Sequence, residues 1–198
     1  MRRWTTLGAL CALSAVTAAE PVTLVNSSFE DASHGAGGFD LLAPNGWSGI
    51  ENTLGTFHPT IDTYGYEATD GDHVLFTNGG TATQVTGEVL EAGVTYELTV
   101  DIIARPGLFD GYAVRLLAGG RTIAEDASSL TPVVGGSVTT VVTYTATADD
   151  ALLGRSVAIS LWGPFQANFD NVRLTAVPAP GVVCSFGVLG LAASRRRR

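Results

Sequence analysis

Val94-Thr95-Tyr96-Glu97-Leu98-Thr99-Val100-Asp101-Ile102 alternates apolar and polar side chains without a break. In an extended chain successive side chains point to opposite faces, so Tyr96, Leu98, Val100 and Ile102 share one face and Thr95, Glu97, Thr99 and Asp101 the other. That is the pattern of a half-buried strand. Outward from it, similar runs recur at Val22 to Val25, His73 to Phe76, Thr81 to Val85, Tyr112 to Leu117, Arg121 to Ala124, Val138 to Ala146, Ser156 to Trp162 and Ala167 to Thr175, while the first run extends to Ala104. Gly, Pro, Asn and Asp separate them, and no stretch between the two ends keeps a helical period. Many short strands with such turns predict an all-β fold, a two-sheet jelly-roll β-sandwich. The segment from Asp31 to Tyr66 holds aromatics, Gly and Pro without a period, and reads as long loops at one rim, where binding sites concentrate.

The two ends follow a different grammar. Residues 1–19 open with Met1-Arg2-Arg3, continue with an apolar stretch from Trp4 to Val16 and close with Thr17-Ala18-Ala19. This is the pattern of a secretory signal peptide, too short to span a bilayer comfortably. Residues 177–198 run Val177-Pro178-Ala179-Pro180-Gly181, then an apolar stretch from Val182 to Ala193, then Ser194 and Arg195 to Arg198. The order of proline motif, apolar run and basic cluster resembles the PEP-CTERM sorting tail, with Ala179 where that motif carries glutamate. The resemblance implies an exosortase-type processing enzyme as partner, and a destination at the cell surface or extracellular matrix of a Gram-negative bacterium. It also implies transient membrane insertion by the tail, its arginines held on the cytoplasmic side. Residues 20–176 remain as one sandwich domain.

All 11 basic residues are arginine, and six of them lie in the two ends. Between the ends, five arginines face all 19 acids, a balance far more acidic than the whole-chain −8. Such a surface disfavours nucleic acid, which needs clustered basic residues against phosphate. Both cysteines, Cys11 and Cys184, fall in the apolar ends, which excludes thiol catalysis, zinc–thiolate sites and disulfides from the domain. A calcium ion suits a chain rich in carboxylate oxygen.

Two motifs stand at opposite ends of the domain: Asn26-Ser27-Ser28-Phe29-Glu30, and Asn168-Phe169-Asp170-Asn171-Val172-Arg173-Leu174. They resemble the CBM4/9-like and wider galactose-binding-like jelly rolls. That resemblance implies a structural calcium ion where Glu30 and Asp170 meet, in a carbohydrate-binding module. By strand parity Asp170 falls with Val172 and Leu174 on the core side, where a carboxylate needs a cation or strong hydrogen bonds. Asp72, in the turn Asp70-Gly71-Asp72, reads either as a further calcium ligand or as part of a solvated turn. Trp47 reads as a buried plug. Trp162, Tyr112, Asp101 and Arg115, on strands with small or polar neighbours, are the residues expected to bind a polysaccharide.

Enzymatic signals are sparse. His34, His58 and His73 are far apart in sequence, and neither a Gly-x-Ser-x-Gly elbow nor a His-Glu-x-x-His motif occurs. These observations favour a binding module over an enzyme or a structural matrix protein. A second resemblance competes: Gly37-Gly38-Phe39, Pro44-Asn45-Gly46-Trp47 and Asp70-Gly71-Asp72 are similar to segments of the calcium-dependent Stig cyclases of indole alkaloid pathways. It implies an aromatic-lined cleft in which an acid protonates a hydrophobic substrate, a role that Asp101 could fill if burial raised its pKa.

Overall fold

A computed structural model describes residues 18–179. Most of the expected signal and most of the sorting tail lie outside the described residues. The described residues form ten strands, β1 (Glu20–Val22), β2 (Leu54–Phe57), β3 (Val74–Thr77), β4 (Thr81–Val89), β5 (Val94–Ala104), β6 (Ala113–Ala118), β7 (Arg121–Ala127), β8 (Ser137–Thr145), β9 (Ser156–Trp162) and β10 (Ala167–Pro178), with one short helix, α1 (Ile61–Tyr64). They build a sandwich of two antiparallel sheets. One sheet has the order β2-β3-β10-β5-β8 with β1 also on β10; the other has the order β4-β9-β6-β7.

The alternation of β5 is realised as expected. Tyr96, Leu98, Val100 and Ile102 face Val114 and Leu116 of β6 and Val157, Ile159 and Leu161 of β9 in one continuous core. Trp47 is buried in that core, its ring 5.5 Å from Phe29. At one edge the sheets are also tied by a polar network. Asp126 of β7 accepts hydrogen bonds from the Tyr112 hydroxyl (2.6 Å), from Thr140 of β8 (2.5 Å) and from the Ser129 amide (3.0 Å).

Parity along β10 breaks where the sequence reading assumed that it held. Phe169 and Val172, three residues apart, both enter the main core, because the register of β10 on β5 shifts between Asp170 and Arg173 and Asn171 takes a φ of 51°. This bulge places Asp170 on the outer face of the six-stranded sheet, opposite Asp101, and not on the core side with Val172 and Leu174. Its trace in the sequence is the three-residue spacing of Phe169 and Val172, which does not by itself say which face Asp170 takes.

The segment from Asp31 to Tyr66, expected to be all loop, contributes β2 and α1. β2 is only four residues long, with Gly55 inside it, too short for alternation to register. Thr60 caps α1 by accepting from the Thr63 amide, and Gly65 ends it in the left-handed conformation. The chain then lays Tyr66 against Phe57, Val74, Phe76 and Ile103, making a second, smaller core on the outer face of the six-stranded sheet.

Candidate functional site

Two features occupy that outer face: a clasped acidic loop and an aromatic cleft. The loop is Thr69 to His73. Asp170 is fully buried, and one of its oxygens accepts from the Thr69 amide (2.7 Å), the Asp70 amide (2.8 Å) and the Thr69 hydroxyl (3.0 Å). Its other oxygen accepts from the Asn171 amide at 2.7 Å. From the far side, Glu30 accepts from the amides of Asp72 (2.9 Å) and His73 (2.7 Å). Gly71 is required between these two grips: its φ is 88°, and a Cβ there would sit 2.4 Å from the Glu30 carboxyl carbon. The two motifs from the ends of the domain therefore do meet, through one loop, and the Val172 amide also donates to the Ser27 carbonyl at 3.0 Å.

Burial pushes the Asp170 carboxyl up to about 6, against hydrogen bonds from Asp70, Thr69 and Asn171 that pull it down. Its four hydrogen bonds come from neutral donors, and among the described residues no cationic side chain pairs with it. Asp72 stands apart. Its amide joins the Glu30 grip, but its carboxylate is exposed, 4.0 Å from His58. Among the described residues no three His, Cys, Asp or Glu side chains converge closely enough to cage a metal by themselves. Two carboxylates gripping one loop offer the hard oxygens that calcium prefers, and a cation would compensate the buried Asp170 charge.

The three histidines, distant in sequence, cluster edge-on and tilted at this loop. The His73 ring lies 4.9 Å from that of His34 and 5.1 Å from that of His58. His73 Nδ1 is 3.2 Å from Glu30, and its Nε2 is 3.0 Å from the His34 carbonyl. Burial, then the neighbouring His73, hold His34 below the usual histidine range. Their spacing in the chain gave no sign of this, because the contacts depend on how the loops around β2 and β3 fold back.

The cleft is a space of about 210 Å³ lined by Phe39, Leu41, Phe57, Tyr64, Phe76, Asn78, Arg105 and Gln166. Phe57 is its hub, in edge-to-face contact with Tyr64 (5.1 Å) and Phe76 (5.7 Å). Phe39 pairs with Phe57 through an isolated bridge, and the Tyr64 hydroxyl donates to the Gly37 carbonyl at 3.1 Å. Arg105 lies over the Tyr64 ring at 4.7 Å. None of the lining residues carries a carboxylate. Below the cleft, the Tyr66 hydroxyl and one oxygen of Asn168 are buried without hydrogen-bond partners.

Of the residues expected to share one binding surface, Trp162 and Arg115 fall on the outer face of the four-stranded sheet, while Asp101 and Tyr112 lie elsewhere. Trp162 pairs with Ala113, and Arg115 with Ser160, on the four-stranded sheet, where Arg115 bonds Glu125 at 2.6 Å. Asp101 is on the six-stranded sheet, with both oxygens engaged, by Thr139 (2.6 Å) and the Asn171 side chain (3.1 Å), and it does not line the cleft. Tyr112 is buried in the main core. Of the cleft residues, Phe39 stands in a segment that the sequence singled out and Tyr64 among its candidate stacking aromatics; Leu41, Phe57, Phe76, Asn78, Arg105 and Gln166 were not singled out, most of them lying in the aperiodic segment or in turns.

Comparisons with known proteins bear on this outer face. A Stig cyclase, Fisc from Fischerella sp. TAU, solved with (3Z)-3-(1-methyl-2-pyrrolidinylidene)-3H-indole, is 27% identical, with a TM-score of 0.74 over 82% of this chain and 100% of that one. A cyclase from Fischerella sp. TAU with 4-(1H-indol-3-yl)butan-2-one is 27% identical, with a TM-score of 0.73 and the same shares covered. The tandem CBM22 domain of Paenibacillus barcinonensis Xyn10C is similar in fold alone, at 14% identity and a TM-score of 0.54 over 88% of this chain and 50% of that one. No curated protein matches. These findings overturn the expectation of a non-enzymatic carbohydrate-binding module with a polysaccharide partner, because the family match is to a cyclase and the similar Fischerella structures are cyclases, two of them solved with small indoles. None of the relatives supports an exosortase partner, and that expectation is not carried forward. The HpiC1 cyclase model matches residues 20–175, nearly the whole described region, and the chain belongs to the HpiC1-like family.

Proposed function

We propose that this protein is a calcium-stabilised cyclase that takes a flat, indole-like small molecule in the cleft on the outer face of the six-stranded sheet. The observation that carries this reading is the aromatic lining of Phe39, Phe57, Tyr64 and Phe76 in a chain of this family. At about 210 Å³ the cleft has room for one bicyclic ring and little more, well below the usual range of about 300 to 1,000 Å³ for drug-sized pockets. Aromatic walls hold such a ring by stacking and edge contacts while excluding water, which strengthens any polar contact made inside.

The chain's own contribution is to bind and orient. Arg105 and the amides of Asn78 and Gln166 supply hydrogen bonds at one side of the cleft, and the apolar walls fix the plane of the ring. Asp101 is set aside as the acid, since both its oxygens are engaged away from the cleft. Burial drives the Tyr66 phenol far up, so it stays protonated, a hydrogen-bond donor rather than a source of protons. Calcium would be held by Glu30 and Asp170 with oxygens of the Thr69–His73 loop, and would supply the charge that fixes this loop beside the second core.

Phe39 gives a clean test, because it lines the cleft yet is 59% exposed, so removing it costs little stability. Calorimetric titration with 4-(1H-indol-3-yl)butan-2-one should show saturable binding, weakened about tenfold or more in Phe39→Ala, as expected for a lost aromatic contact. An affinity unchanged by the substitution, with the fold intact, would remove the ligand from this cleft.

A further inference from the structure

We propose that the natural ligand of the cleft carries a carboxylate, and that Arg105 is the residue that selects it. This rests on the reading of the cleft as the indole site and adds a charge to the ligand. The domain has five arginines among 19 acids, so a carboxylate partner is easy to find, and Arg115 and Arg173 have found theirs in Glu125 (2.6 Å) and Asp70 (3.6 Å). Arg105 has not, and unlike Arg121 and Arg155, which also lack one but are exposed, it is half-buried: among the described residues no carboxylate lies within ion-pair distance of it.

It is nevertheless held in place. The guanidinium lies 4.7 Å over the Tyr64 ring, and Nη1 donates to the Gln166 side-chain oxygen at 3.0 Å. Gln166 is itself fixed, its backbone at a φ of 46° and its amide donating to the Asn78 side chain at 2.9 Å. Tyr64, Gln166 and Asn78 all line the cleft. Arginine stays charged at every physiological pH, and its planar fork of five N–H groups matches a carboxylate with two parallel hydrogen bonds. A half-buried fork braced from two sides, with donors to spare at the edge of an aromatic slot, is arranged for a ring bearing a short acidic arm.

The net negative charge of the chain works against an anion at long range, but screening limits that field to about 8 Å in physiological salt. Contact with Arg105 falls inside that distance, so the local charge decides. The ketone found in the Fischerella relative provides a matched control. Indole-3-propionate differs from 4-(1H-indol-3-yl)butan-2-one only in having a carboxylate oxygen where the ketone has its terminal methyl.

The experiment is calorimetric titration of the full chain with both probes, at low and high salt, for the natural sequence and for Arg105→Met and Arg105→Lys. The acid should bind about tenfold more tightly than the ketone, the advantage of one charge-assisted contact. High salt should shrink that preference, Arg105→Met should abolish it by weakening the acid far more than the ketone, and Arg105→Lys should keep part of it. Equal affinity for the two probes, or a preference that survives Arg105→Met, would overturn the selection by Arg105 and leave the cleft reading standing. Failure of both probes to bind would overturn the cleft reading and this inference together.

Discussion

Replacing Asp170 with alanine should cost the fold about 3 to 5 kcal/mol in calcium, the range for breaking a buried charged contact. The substitution leaves the amides of Thr69, Asp70 and Asn171 and the Thr69 hydroxyl without their acceptor. It should also remove the calcium dependence of stability. For the natural chain, calcium at a hundredfold excess over its dissociation constant should add about 2.7 kcal/mol, because it binds only the folded state. The effect has a pH signature. In chelator the Asp170 carboxyl, raised by burial to about 6, holds its proton more tightly folded than unfolded, where about 3.9 is usual. Its contribution is then complete below about pH 4 and is lost as pH rises through 6. Calcium needs the ionised carboxylate, so the gain from calcium should be full at pH 7 and fade as pH falls below 6. Thermal unfolding across pH, with calcium and with chelator, measures all three; identical curves in the two conditions would exclude the calcium site.

A comparable loss, about 2 to 4 kcal/mol, is expected for Asp126→Ala, at the opposite edge of the sandwich from any ligand. Asp126 is nearly inaccessible and accepts from Tyr112, Thr140 and Ser129, so alanine strands three donors and unties β7 from β8. Burial alone would push its carboxyl up, but the hydrogen bonds from Thr140, Tyr112 and Ser129 outweigh it and hold the group below the usual carboxylate range. A depressed native pKa stabilises above the unfolded value and is lost as pH falls through the folded one, so this contribution operates at neutral pH and disappears in acid. Urea unfolding at pH 7 and at pH 3 should show a larger Asp126→Ala penalty at the first than at the second. An equal penalty at both would mean that lost packing, not the carboxylate, sets the cost.

The contrast between these two acids shows what the sequence could reveal. Asp170 drew notice because its motif is distinctive, and Glu30 because its partner motif lies at the other end of the domain; the structure joins both to one loop. The bulge that turns Asp170 outward shows in the sequence as Phe169 and Val172 standing three residues apart, a spacing that does not by itself say which face Asp170 takes. Asp126, by contrast, sits in a strand of mixed polarity, and only the proximity of β8 makes it a tie between sheets. Long strands such as β5 and β9 were legible from alternation, since one face of each meets the core along its whole length. The cleft was not, because Phe39, Tyr64 and Gln166 come from loops and turns whose geometry depends on distant contacts. Five aromatics within the aperiodic segment, Phe39, Trp47, Phe57, Tyr64 and Tyr66, marked the region without giving its shape.

The most direct measurement is amide and indole N–H chemical-shift mapping of the full chain during titration with 4-(1H-indol-3-yl)butan-2-one. The cleft account predicts saturable shifts at Phe39, Tyr64, Asn78, Arg105 and Gln166, with the indole N–H of Trp162 unmoved on the four-stranded sheet. Shifts that cluster instead on Trp162, Arg115 and Ser160, with the outer face of the six-stranded sheet silent, would contradict it.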